Sequence, residues 1–117
     1  MIKPFFCWAL LFAAAPAWAV EFWISPQGND ANPGTRERPF ASLARARDAV
    51  RSAPQRGREP VTVTLREGVY RLPETLVFTP ADSGSSNAPV VWRAAAGQTV
   101  VISGGVELHG LRWRPYR

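Results

Sequence analysis

Residues 25–35 read SPQGNDANPGT, and nearly every one is a turn former, a small polar group or an oxygen able to ligate a cation. Asp30, Asn32 and Gly34 recur at alternate positions, like the first ligands of a calcium loop. A loop of the EF-hand kind would next require a glycine where this chain has Thr35 and an acid where it has Ala41. Pro33 also holds Asn32 in extended geometry. The stretch is expected to be a turn whose side chains bond nearby backbone.

The other candidates are as sparse. Asp82 lies in ADSGSSNAP, where aspartate before serine and glycine makes a local turn, and a lone carboxylate cannot serve as both acid and base. Glu67, before Gly68, reads as a solvated corner. His109 is the only histidine and has no acid, serine or cysteine beside it to form a constellation. With Cys7 the only cysteine, a zinc site lacks ligands. Gly104 and Gly105 stand alone rather than in a phosphate loop. Trp92, Trp113 and Tyr116 could stack on sugar rings if exposed, although Trp92 alternates with Val91 and Arg93 and suits packing as well. No residue is assigned a catalytic, cofactor-binding or metal-ligating role, and no cofactor is expected.

These residues must be placed by short elements. EFWIS, residues 21–25, suits a strand that stops at Pro26. Leu43, Ala46 and Val50 fall at helical spacing, with Ser42 placed as an N-cap and Pro54 and Gly57 beyond the end. From Val61 the period becomes alternating: Val61, Val63 and Leu65 face one way, Thr62, Thr64 and Arg66 the other. Val69 and Tyr70, residues 75–78 (TLVF), 90–94 (VVWRA), 99–103 (TVVIS) and 106–108 complete six expected strands after the helix. The corners Glu67-Gly68 and Ala96-Gly97-Gln98 suit a coil that keeps winding in one direction; from pattern alone an antiparallel sandwich is the alternative.

The first residues, MIKPFFCWALLFAAAPAWAV, have a lysine, an apolar run and small residues at Ala17 and Ala19, which is the plan of a secretory signal peptide. The run is too short for a stable membrane span. Cleavage after Ala19 removes Lys3 and Cys7, lowering the formal charge from +5 to +4 and leaving arginine as the only strong base. No disulfide is then available, so burial alone must hold one modest domain. Export argues against a nucleic-acid partner, and the arginines from Arg36 to Arg58, interspersed with Glu37, Asp48 and Glu59, read as a solvated, mixed-sign face.

FWISPQGNDANPGTRERPFASLARARDAVR, VTVTLREGVYRL and APVVWRAAAGQTVVISGG together resemble the N-terminal region of secreted right-handed parallel β-helix proteins of the pectate-lyase-like superfamily. The resemblance implies a mainly β chain, the cap helix and first coils of a solenoid, in three parts: 1–19 signal peptide, 20–60 strand, turn and cap helix, 61–117 first coils. It implies full-length relatives that cleave polysaccharides as lyases or glycoside hydrolases, with catalytic groups on later coils, so that this chain is an incomplete, inactive N-terminal portion. A polysaccharide partner would be met through the missing coils, and self-association is expected if the chain is truncated. The alternatives are a stand-alone exported glycan-binding or surface module, or a non-functional gene remnant.

Export with cleavage between Ala19 and Val20 is the expected outcome, to be checked by the intact mass of the exported protein. A product retaining Met1 contradicts it.

Overall fold

The computed structural model describes residues 19–116. The expected signal peptide, save its last residue, lies outside them.

Among the described residues the chain is mainly β with a single α-helix. In order it runs β1 (Val20–Ile24), α1 (Leu43–Ser52), β2 (Val61–Leu65), β3 (Gly68–Arg71), one 3-10 turn (Pro80–Asp82), β4 (Val90–Ala94) and β5 (Val100–Ser103). Strands β1, β2 and β4 form one sheet, with β2 in the middle; β3 and β5 form a second. Every pair is parallel, which excludes the antiparallel sandwich. Val61 pairs with Val90, an offset of 90 − 61 = 29 residues, and Gly68 with Val100, an offset of 100 − 68 = 32. After β2 the chain therefore turns a corner, crosses and returns beneath itself, then repeats the path.

Alternation decides which side chains go inside. Ile24, Val61, Val63 and Leu65 are buried with Tyr70, and Leu43, Ala46 and Val50 of α1 close over them. The helix begins as its sequence requires: the Ser42 hydroxyl accepts the Arg45 amide at 3.1 Å. Thr64 departs from the expected one-faced burial, because the middle strand is flanked on both sides and its hydroxyl donates to Glu21 Oε1 at 2.9 Å. The Tyr70 hydroxyl lies 2.7 Å from the Arg66 carbonyl and 3.1 Å from that of Ile24. Burial pushes this phenol up to about 12, so it remains a neutral donor at ordinary pH.

The free edge of β1 is closed by residues 34–40. Trp23 N–H donates to the Gly34 carbonyl at 2.8 Å, Phe40 N–H to the Trp23 carbonyl at 2.9 Å, and Ser25 N–H to the Phe40 carbonyl at 2.9 Å. Helix and segment together cover one end of the sheet stack, as the end of a stack of parallel strands requires.

Two expected strands are absent. Residues 75–78 and 106–108 are not strands, so four strands follow the helix rather than six. Both stretches have strand-like composition, but a strand forms only where a neighbour takes its amides and carbonyls. The Val77 carbonyl instead accepts from Arg47 Nη1 at 3.3 Å, and Val106 and Leu108 are exposed.

Gly34 and Gly97 give a matched test, with φ of +81° and +72°. A Cβ at Gly34 would run into the Phe40 ring, whereas at Gly97 it would meet open space. Gly97→Ala is expected to cost about 1 kcal/mol of left-handed strain and Gly34→Ala more than about 2 kcal/mol, measured by urea unfolding. Equal losses would show that the Gly34–Phe40 contact does not hold the end shut.

Candidate functional site

Residues 25–35 form a structural corner. Asn29 Oδ1 accepts the Ala31 amide at 2.8 Å, and Asn32 Nδ2 donates to the Pro39 carbonyl at 3.0 Å. Asp30 reaches further than a local turn: its carboxylate accepts the amides of Ala41 and Ser42 at 2.8 and 2.9 Å and the Ser42 hydroxyl at 2.7 Å. Burial pushes the Asp30 carboxyl up, but the Ser42 hydroxyl and the two amides outweigh it and hold it below its usual range. Its oxygens are already engaged at the start of α1. Among the described residues no group of three or more metal-ligating side chains occurs.

Asp82 is buried and does bond locally, accepting the Thr79 amide at 2.7 Å. It also has a partner the sequence did not reveal. Arg51, on α1, grips it in a two-pronged pair, Nη2 to Oδ2 at 2.8 Å and Nε to Oδ1. The bond to Arg51 is the main reason that the Asp82 carboxyl is held down to about 2. This pair fastens the helix to the loop before β4, so the expectation of a purely solvated arginine face needs correction at Arg51. Arg45 also departs from it, lying 4.7 Å from the centre of the Phe40 ring.

Glu67 is an exposed corner whose amide donates to Gln98 Oε1 at 2.8 Å. His109, Trp113 and Tyr116 are exposed and far from these groups in sequence, and His109 Nε2 lies 3.9 Å from Glu107. Trp92 is half-buried, edge-on to Phe78 with ring centres 5.3 Å apart. Packing thus accounts for Trp92.

Two of the concave surfaces differ sharply in character. Beside Leu43 of α1, the side chains of Leu76, Phe78, Val90, Trp92 and Ile102 line an apolar groove of about 680 Å³. On the outer face of the three-stranded sheet, Trp23, Arg36, Thr64, Arg66 and Arg93 line a polar cleft of about 670 Å³. The register puts Trp23, Thr64 and Arg93 in one row across β1, β2 and β4. Arg36 and Arg66 lie 5.3 and 5.6 Å from the Trp23 ring centre. None of these residues was singled out from the sequence as a site. The signal was their outward parity in neighbouring strands, visible only once the strands are paired.

No family model matches the chain. An uncharacterized Bacillus subtilis protein, YwoF, is 38% identical over 82 residues, spanning 70% of this chain and 15% of that protein. Pectate lyase PEL9 of Emericella nidulans is 33% identical over 104 residues, spanning 89% of this chain and 23% of its own length. A solved glycoside hydrolase superposes with a TM-score of 0.75 at 40% identity, over 82% of this chain and 17% of that one. A rhamnogalacturonan lyase shares the fold at 22% identity and a TM-score of 0.52, over 72% of this chain and 21% of its own. The chain thus spans less than a quarter of each of these proteins, and it resembles the pectate-lyase-like proteins.

The Arg51–Asp82 pair makes stability depend on pH. Because the folded carboxyl is lowered from 3.8 to about 2, its contribution is complete above 3.8 and is lost as pH falls through about 2. Asp82→Asn should lower the unfolding midpoint at neutral pH, and the gap from the parent should narrow on acidification below about pH 4. A gap independent of pH down to about pH 2 contradicts the assignment.

Proposed function

We propose that this chain, whose homologues include a pectate lyase and a glycoside hydrolase, forms the N-terminal end unit of an exported right-handed parallel β-helix that acts on a polysaccharide. The observation that carries the reading is the repeated parallel register, Val61 to Val90 and Gly68 to Val100, with α1 laid over the end at β1. Parallel strands joined by a helical crossover, as β1 and β2 are, almost always take the right-handed path. Export rests on residues 1–19.

In this reading the unit closes and starts the solenoid, and bond cleavage falls to further coils. Glycoside hydrolysis needs two carboxylates flanking the bond. Asp30 and Asp82 are each committed to protein donors. The apolar groove around Trp92 and Ile102 is where a following coil would pack. A second reading, a stand-alone exported glycan-binding module, is favoured by the basic cleft on the outer sheet face.

Residues 20–117 alone should leave a panel of uronic and neutral polysaccharides uncleaved and should self-associate through the apolar end in size-exclusion chromatography with light scattering. Ile102→Lys, at a half-exposed position of that end, should shift the protein toward monomer. A monomeric parent that degrades any of the polymers overturns the reading.

A further inference from the structure

We propose that the outer face of the β1–β2–β4 sheet is a binding site for the oxyanion groups of an acidic glycan, held by Arg36, Arg66 and Arg93. The glycan identity rests on the polysaccharide reading above; the anion site rests on geometry alone.

Three arginines from three separate segments converge on one cleft. Arg36 and Arg66 both lie within 6 Å of the Trp23 ring centre, and Arg66 also donates to the Arg36 carbonyl. Arg93, in the same row as Trp23, donates to Thr64 Oγ1 and Glu21 Oε1, each at 3.4 Å. Among the described residues neither Arg36 nor Arg66 has a carboxylate within 4 Å, and Glu21 is the one acid that pairs with this group. Guanidiniums lining one cleft share a field of one sign, since charges repel over a screening length of about 8 Å. An oxyanion between them relieves that repulsion. Arginine's planar fork also suits two-pronged bonds to carboxylate or sulfate, and fixing the forks in advance reduces the ordering cost of binding.

The same geometry argues against two other ligands. Guanidiniums of Arg36 and Arg66 already lie against the Trp23 indole, so a base or a neutral sugar would have to compete with them to stack there. Recognition therefore falls to charge and directed hydrogen bonds. Both carboxylate and sulfate-ester glycans supply that chemistry, and the experiment separates them.

The exported protein is titrated with polygalacturonate, dextran sulfate, unmodified dextran and single-stranded DNA, over a range of salt concentrations. Either acidic glycan should bind and weaken as salt rises, and unmodified dextran should not bind. The double substitution Arg36→Gln with Arg66→Gln should lower affinity by about tenfold or more, with Arg66→Lys losing less than Arg66→Gln because it keeps the charge. Arg58→Gln with Arg112→Gln, at exposed arginines outside the cleft, is the charge-matched control, and circular dichroism confirms the fold of each variant. An equal loss with that control pair overturns the site, since it makes the binding diffuse. DNA bound as tightly as the better glycan overturns the glycan assignment. Failure to bind either acidic glycan, in a protein that still associates through its apolar end, removes the anion site and leaves the end-unit reading standing.

Discussion

Phe40 holds the end of this fold shut. Its backbone closes the free edge of β1, accepting from Ser25 and donating to Trp23, while its buried ring packs against Phe22 with centres 5.9 Å apart. The ring also fills the space that any side chain at Gly34 would need. Because Phe40 stands two residues before the helix cap, its position sets where Ser42 and then α1 begin. Asp30 reinforces the same junction by accepting both amides at the start of the helix. The corner of residues 25–35 is therefore not slack chain. It is the brace that converts an open strand edge into a closed end.

Closing one end leaves the rest to repetition. Once β2 is paired on β1, its other edge can be satisfied by the chain returning 90 − 61 = 29 residues later, which β4 does. Parallel pairing keeps parity, so inward residues stack on inward residues: Phe22, Val63 and Trp92 share one row. The outer rows follow by the same rule, and Trp23, Thr64 and Arg93 are thereby brought together without local sequence continuity. Arg51 and Asp82 then fasten the helix to the loop that leads into β4, which keeps the closed end attached to the far strand of the sheet.

What was legible in the sequence was local. The helix was readable because Leu43, Ala46 and Val50 recur on one face and Ser42 can cap it; β2 was readable because valine and threonine alternate. The resemblance carried by the GND turn, the LREGVY strand and the VVISGG strand supplied the family likeness that the homologues share. Pairing was not legible, since a strand's partner lies a full coil away. TLVF illustrates the cost: its residues favour a strand, but Val77 finds Arg47 rather than another strand. Asp82 looked like a simple turn because Arg51 is 82 − 51 = 31 positions earlier, on an element whose outer face looked merely solvated.

The apolar groove and the basic cleft face different physical problems, and the register links them. In the proposed end unit, the apolar groove around Trp92 and Ile102 is where more of the same fold would pack. The basic cleft lies on the flank, where side chains point outward at every level of the stack. A strand paired on the free edge of β4 would bury the first surface and lengthen the second, because parallel register would set one more outward side chain beside Arg93. Growth along the axis and extension of the charged row are thus the same event, and an elongated anionic chain lying across the strands would meet successive levels of one row.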